Sequence, residues 1–366
     1  GSLMPVGVGL VGAGNISTQY LTHLATYPDV RVIALGDLDE ARAAGQAKAF
    51  GVPASGGPDA VLDHPDVDLV VNLTIPAAHV EISTRAVRAG KHVWSEKPLG
   101  LDRASARALL DEAAARGLQV GCAPDTVLGP GLQTALRSLA DGAVGRLLTG
   151  LAIMQNPGPD AWHPSPEFFF SAGGGPVLDM GPYYLTALVL ALGPVTSVVA
   201  TGGRARDVRT IMVGPRAGAD FPVTVPTTAN VLLRHASGPS SVALFSFDWG
   251  LARTGVLEFQ GSSGTIVAPD PNRFGGTVAT HVGGTLADRV EIPDAGTGRG
   301  IGVVDMVRSL AAGAPPRASG ELAYHVLDIM FAIGESTESG DPVEVTSVPP
   351  VAQPLPPGWS PLVAQP

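Results

Sequence analysis

Val6–Val11 reads as a strand and runs straight into Gly12-Ala13-Gly14-Asn15-Ile16-Ser17, a glycine-rich turn that opens a helix. Such a turn suits a pyrophosphate. Gly12 permits the tight turn, Gly14 lets an anion approach the backbone, and the helix start at Asn15 and Ile16 offers amides and the positive end of a dipole. Ser17 stands where the fingerprint has its third glycine, a position that needs only a small side chain. The overlapping match Gly7-x-Gly9-x-x-Gly12 puts its glycines inside the strand and leaves no turn. Asp37 closes the second strand, where an acidic residue accepts hydrogen bonds from ribose hydroxyls and repels a 2′-phosphate. The expected cofactor is therefore NAD rather than NADP. The competing reading is a plain tight turn, with Asp37 capping the next helix.

Three further constellations fall where a doubly wound sheet binds ligands, at or after strand ends. Asn72-x-Thr74-x-Pro76-x-x-His79 follows the strand at Asp68–Leu73, and Glu96-Lys97-Pro98 follows the strand at His92–Ser95. Much later, Gly173-Gly174-Gly175-Pro176-Val177-Leu178-Asp179-Met180-Gly181-Pro182-Tyr183-Tyr184 leads into an apolar helix. Asp179 and Tyr183 are four apart, so on a helix they share a face. Pro182 is expected to disturb that helix.

Taken together, these motifs resemble the Gfo/Idh/MocA oxidoreductases, nicotinamide-dependent enzymes acting mainly on sugars, inositols and their relatives. The resemblance covers nearly the whole chain. It implies a catalytic set of Lys97, Asp179 and Tyr183, with Tyr183 where the family more commonly has His. A phenol with a pKa of about 10 is a poor base near neutrality, and a neighbouring ammonium favours its phenolate. Lys97 would hold and polarise the reacting oxygen, Tyr183 would exchange its proton, and Asp179 would orient the group. The resemblance also places Thr74 and Pro76 beside the nicotinamide, Asn72 at the strand end, and His79 near the nicotinamide ribose; a surface histidine at a helix start is the alternative for His79. Glu96 is expected to contact the cofactor or to fix the loop, and Pro98 to follow a cis bond.

Substrate contacts are sought in two places. Trp162-His163-Pro164-x-Pro166-Glu167-Phe168-Phe169-Phe170 concentrates aromatics on a loop. Trp162 could stack on a sugar with His163 bonding a hydroxyl, or Trp162 could pack on the cofactor domain; the phenylalanines are assigned to the core. Asp125 suits hydrogen bonds to neutral hydroxyls, with an Asx-type turn after Pro124 as the alternative. Arg299, Asp305 and His325 are read as structural. Neither a metal-ligand spacing nor a Gly-x-Ser-x-Gly nucleophile elbow is present in the sequence, and Cys122 reads as a small buried residue.

These residues need elements to hold them. Strands at Val6–Val11, Arg31–Leu35, Asp68–Leu73, His92–Ser95 and Gln119–Cys122 alternate with helices at Ile16–Thr26, Asp39–Phe50, Ala78–Ala89 and Arg103–Arg116, which predicts a Rossmann-type parallel sheet over residues 4–123. Residues 124–347 then predict an α+β domain for substrate binding and oligomerisation. It has strands near Leu147–Met154, Val195–Thr201, Asn230–His235, Ser241–Phe247, Gly255–Gln260 and Thr265–Ala268 in a mostly antiparallel sheet. Helices are expected at Gly131–Ala140, Leu178–Leu192, Val303–Ala312 and Leu322–Ser336. Residues 348–366 read as a Pro-rich surface tail without regular structure.

Composition narrows the function. With 23 Lys plus Arg against 33 Asp plus Glu, a formal charge of −10, no basic patch is available for nucleic acid. Hydrophobics at 45% and charges at 15% exclude a disordered chain. The apolar stretch Tyr184–Leu192 falls far short of the roughly 20 residues that span a bilayer. Gly1-Ser2-Leu3 reads as an expression remnant ahead of Met4, with no basic signal region behind it. One cysteine fits a reducing, cytoplasmic setting. The leading expectation is an NAD-dependent oxidoreductase acting on a secondary hydroxyl of a sugar or cyclitol, as a homodimer or homotetramer. A sugar- or dinucleotide-sensing regulator without turnover, and an NAD-recycling glycoside-cleaving enzyme, are the competing readings.

Overall fold

The computed structural model describes residues 4–364, which leaves Gly1-Ser2-Leu3 outside the described residues. The chain divides into two compact units. The first comprises residues up to Pro130, Asp294–Tyr324 and residues from Ala352; the second comprises Gly131–Pro293 and His325–Val351.

In chain order the first unit carries β1 (Val6–Val11), α1 (Asn15–Leu24), β2 (Val30–Gly36), α2 (Glu40–Phe50), β3 (Ala54–Gly56), α3 (Asp59–Leu62), β4 (Leu69–Asn72), α4 (His79–Arg88), β5 (His92–Ser95), α5 (Arg103–Ala115) and β6 (Val120–Cys122). The strands form one sheet in the order β3-β2-β1-β4-β5-β6, with every pairing parallel. This is the doubly wound dinucleotide-binding order, with the order reversing between β1 and β4. Local chemistry sets the helix ends: Asp39 and Asp102 cap α2 and α5 by accepting the amides of Arg42 and Ser105. The short β3 and α3 are absent from the sequence pattern.

The second unit holds α6 (Pro130–Ala140), β7 (Leu147–Gln155), α7 (Pro176–Leu192), β8 (Val195–Gly203), β9 (Val208–Thr210), β10 (Asp220–Pro222), β11 (Thr228–His235), β12 (Ser240–Ser246), β13 (Arg253–Gly261), β14 (Thr265–Val267), β15 (Gly276–Val282) and β16 (Thr285–Ile292). Then come α8 (Ile301–Ala311), packed with the first unit, α9 (Gly320–Ser339), which begins there, and β17 (Val343–Glu344). Nine strands make one sheet in the order β16-β15-β14-β13-β7-β12-β11-β8-β17; it is antiparallel except for β7 beside β12. Helix α7 lies against β7, β11 and β12. On the covered face Met154, Val231, Phe245 and Phe259 are buried, whereas Val199, Leu232 and Val242 are exposed.

One expectation is revised, and two features go beyond the sequence pattern. Pro182 does not break α7, which runs unbroken with Pro182 buried in its middle. The proline removes one ladder bond, but Tyr184, Leu185, Leu188 and Val189 are all buried on the helix, and that burial offsets a cost of about 3 kcal/mol. The β15–β16 hairpin leaves no clear pattern in the sequence, because β16 is almost wholly exposed and places Leu286, Ala287, Val290 and Ile292 among polar residues without a strict alternation. The tail has no regular structure over residues 348–364, its last two residues lying outside the described ones, yet it is anchored: Leu355 is buried, and Arg308 donates to the carbonyls of Ser360 and Val363 and lies over the Trp359 ring. No helix among the described residues is long and apolar enough to cross a membrane.

Candidate active site

In the first unit the glycine turn joins β1 to α1. At Gly12 φ is +110°, and an added Cβ would lie 2.5 Å from the Leu73 carbonyl oxygen, so only glycine fits. Gly14 is the N-cap of α1 and carries no side chain to occupy the first-turn amides, and the space beside it is open. Those amides and that opening fit the pyrophosphate of a dinucleotide. Ser17 is fully buried; its hydroxyl donates to the Gly14 carbonyl at 2.6 Å and accepts from Gln46. The substitution of the third glycine is thus absorbed by a hydrogen bond that tightens the same turn.

Asp37 follows β2 at the mouth of this turn. Its Oδ2 accepts the Ala13 amide at 2.7 Å, its Oδ1 accepts the Asp39 amide at 2.8 Å, and Arg42 reaches both oxygens. Burial pushes the carboxyl up, but these amides and the Arg42 guanidinium outweigh it and hold Asp37 below the usual carboxylate range. The cap of α2 is Asp39, not Asp37. Arg42 was not foreseen as Asp37's partner, although a cation five residues on, at a helix start, was visible in the chain.

The turn after β4 is held from inside. Asn72 is fully buried; its amide donates to the His79 carbonyl and Ser83 Oγ, while its Oδ1 accepts the Thr74 amide and hydroxyl. With both donors and both lone pairs engaged, Asn72 shapes the turn carrying Thr74 and Pro76 and does not itself contact a ligand. His79 is also displaced from its expected role. It is 1% exposed, with Nδ1 2.7 Å from the Pro98 carbonyl and Nε2 2.8 Å from the Thr74 carbonyl. It therefore links the Thr74 turn to the Lys97-Pro98 loop, neither facing a ribose nor standing at the surface. Burial lowers its pKa against the pull of those two carbonyls and Glu96.

Glu96 fixes the loop that bears Lys97. Its Oε1 accepts the Tyr20 hydroxyl at 2.9 Å and its Oε2 accepts the Lys97 amide, while Tyr20 in turn accepts from Trp94 Nε1. Tyr20 was not singled out beforehand, since nothing in its spacing ties α1 to β5. The Lys97-Pro98 bond is cis, as the resemblance implied, and the Lys97 side chain is half-buried.

Asp125 is a correction. It is fully buried, and its Oδ2 accepts the amides of Gly300 at 2.7 Å and Gly302 at 3.1 Å, so it caps α8 from long range instead of binding a substrate hydroxyl or closing an Asx turn. Its Oδ1 and the Thr126 hydroxyl are buried without a partner. Burial raises the Asp125 pKa to about 6, against the Gly302 amide, Arg299 and the Gly300 amide. Arg299, Asp305 and His325 have structural surroundings: the Arg299 charge favours the ionised form of Asp125, Asp305 accepts the Arg317 amide and guanidinium, and His325 accepts the Val195 amide. Cys122 is buried, and burial pushes its thiol up.

In the second unit Asp179 lies in the first turn of α7, half-buried, and Tyr183 follows one turn later at 6% exposure. The triple glycine lets the preceding loop fold onto that helix start. At Gly174 an added Cβ would meet the Phe168 carbonyl at 2.1 Å, and the Gly175 amide donates to the Phe169 carbonyl. Trp162 is 54% exposed, and His163 accepts the Ser165 amide while its ring meets Phe169 edge-on. Of the three phenylalanines only Phe170 is core; Phe168 is 47% exposed because the short helical turn Glu167–Phe170 that buries Phe170 points it outward.

Residues 6–123 match the model of an oxidoreductase family with an NAD-binding Rossmann fold, and residues 132–267 match the GFO/IDH/MocA C-terminal domain. A dTDP-3,4-didehydro-2,6-dideoxy-alpha-D-glucose 3-reductase of Streptomyces antibioticus is 35% identical over 192 residues, 51% of this chain and 56% of the relative. The Actinomadura kijaniata enzyme of the same name is 30% identical over 268 residues, 72% of this chain and 74% of the relative. The matched stretch thus spans little more than half of the first relative. Among solved structures, levoglucosan dehydrogenase in complex with NADH and L-sorbose superposes with a TM-score of 0.81 at 22% identity, covering 93% of this chain and 99% of that one.

Proposed function

The chain belongs to the Gfo/Idh/MocA oxidoreductase family, and from that premise we propose that it is an NAD-dependent dehydrogenase acting on a secondary hydroxyl, or the corresponding ketone, of a sugar, cyclitol or sugar derivative. The observation that carries this reading is the coexistence of an uncapped glycine turn at α1 with Lys97 on a braced loop and the Asp179–Tyr183 pair one turn apart on α7. A regulator without turnover has no use for such a proton-handling set.

Bound NAD supplies the hydride acceptor. Gly12, Gly14, Asn15 and Ile16 hold its pyrophosphate, Asp37 its adenosine ribose, and Thr74 and Pro76 flank its nicotinamide. Lys97 donates to the substrate oxygen and stabilises the negative charge that grows there as the C–H bond breaks. Tyr183 takes the hydroxyl proton in oxidation and returns it in reduction, and Asp179, one turn earlier, orients the group. Glu96 and His79 hold the Lys97 loop. Trp162 and His163 contact the sugar ring by stacking and hydrogen bonding.

The same chain associates as a homodimer or homotetramer in the cytoplasm. Support comes from the uncovered sheet face, where Val199, Leu232 and Val242 pair side by side across β8, β11 and β12 at 37%, 56% and 41% exposure. A monomer in light scattering would remove the assembly. An NADH absorbance screen over sugars, inositols and anhydrosugars, run with NAD and NADP in parallel, tests the activity; no turnover of any panel member with dinucleotide bound would favour a sensor.

A further inference from the structure

Arg209, on β9, has a side chain only 1% exposed and is enclosed by acceptors on two sides. Nη1 donates to the Pro157 carbonyl at 2.7 Å and Asp160 Oδ1 at 3.1 Å; Nη2 donates to the Phe247 carbonyl at 2.7 Å and Asp248 Oδ1 at 2.8 Å. The guanidinium lies over the Phe170 ring, 4.9 Å from its centroid. Its β9–β10 ribbon is no part of the nine-stranded sheet; it is an excursion between β8 and β11. What the excursion grips is the aromatic loop. The Met212 amide donates to the Asp160 carbonyl, the Thr224 amide to the Phe170 carbonyl, and Arg216 pairs with Glu167. Asp160 sits in the turn Pro159–Ala161, whose Pro159 carbonyl accepts the amides of Trp162 and His163.

We propose that Arg209 is the positioning residue for the substrate end of the reaction, its planar fork locking the turn that presents Trp162 and His163. This rests on reading those two residues as substrate contacts. One guanidinium answers two carboxylates and two carbonyls in a fixed geometry, which a lysine ammonium cannot reproduce. Asp248 is itself held for the task, its Oδ2 accepting the hydroxyls of Thr227 and Thr228. Loosening the fork moves ring and imidazole by fractions of an ångström, enough to weaken sugar binding without touching the dinucleotide residues.

Hydrogen exchange measured by mass spectrometry on the full chain tests this without any substrate. In Arg209→Lys, peptides spanning residues 157–171 should exchange about tenfold faster, while β1 and β7 keep their protection. In the same protein NAD affinity should stay within about twofold, and KM for whichever of myo-inositol, levoglucosan or L-sorbose is turned over should rise about tenfold with kcat within about threefold. Unchanged exchange in 157–171, or equal loss of protection in β7 and β12, overturns the proposal. Should Arg209→Lys fail to fold, Asp160→Asn keeps an oxygen for Nη1 and drops the charge; the same local exchange is expected at about threefold, and its absence is equally fatal. Trp162→Ala separates the two ideas. An unchanged KM there sinks the substrate-contact reading, whereas a raised KM in Trp162→Ala with none in Arg209→Lys sinks only the positioning role.

Discussion

Asp37 Oδ2 accepts the Ala13 amide at 2.7 Å, so the acid at the end of β2 and the glycine turn after β1 are one rigid unit. The residue proposed to select the ribose therefore also shapes the glycine turn. Asp37→Ser removes the repulsion of a 2′-phosphate and releases Arg42 from its ion pair, so the preference for NAD over NADP should narrow by about tenfold. Fluorescence titrations with both dinucleotides measure it. Tighter binding of NADP than NAD by the unaltered protein would reverse the assignment of Asp37.

Lys97 stands on a loop braced by Glu96, which accepts the Lys97 amide and the Tyr20 hydroxyl, so the bracing runs through the backbone of Lys97 and not through its side chain. Lys97→Met keeps the stem and removes the cation. Turnover should drop about 10²-fold or more while the melting temperature holds. Near-normal turnover would remove Lys97 from the mechanism.

Tyr183 is nearly buried, so a core aromatic is the competing explanation for it. Phe keeps the ring and the packing and deletes only the hydroxyl, which a core residue would tolerate. As acid and base, Tyr183→Phe should lower kcat by about 10²–10⁴-fold with NAD affinity nearly unchanged. An active Tyr183→Phe enzyme would move the proton to another group, with His163 the first to test.

Asp125 predicts a pH dependence of stability. Its folded pKa of about 6 lies above that of an unfolded carboxyl, so the folded state holds the proton longer. Stability from this group is full below about pH 4 and is lost as pH rises to about 6, an effect on the order of 2–3 kcal/mol. Asp125→Asn keeps an oxygen for the Gly300 amide and cannot ionise. Denaturant unfolding should therefore show the variant gaining on the parent between pH 4 and 6, with a constant difference above. A difference that does not vary with pH would mean that Asp125 ionises as easily in the folded state as in the unfolded chain.

What the chain alone determined is whatever short-range spacing controls. The glycine turn, Asp37 at a strand end, the alternation giving a parallel then a mostly antiparallel sheet, and the helical interval of Asp179 and Tyr183 are local patterns, because backbone conformation and side-chain direction repeat over a few residues. Only the tertiary structure decided which polar groups are consumed internally. Asp125 reaches across 175 residues to Gly300, Asn72 and His79 turn inward to knit two loops, and Arg209 joins three segments. A buried donor or acceptor must find a partner wherever folding brings one, and that demand leaves no period in the sequence. The same holds for α8, which follows the second sheet in the chain yet packs with the first unit, because burial answers to space and not to order.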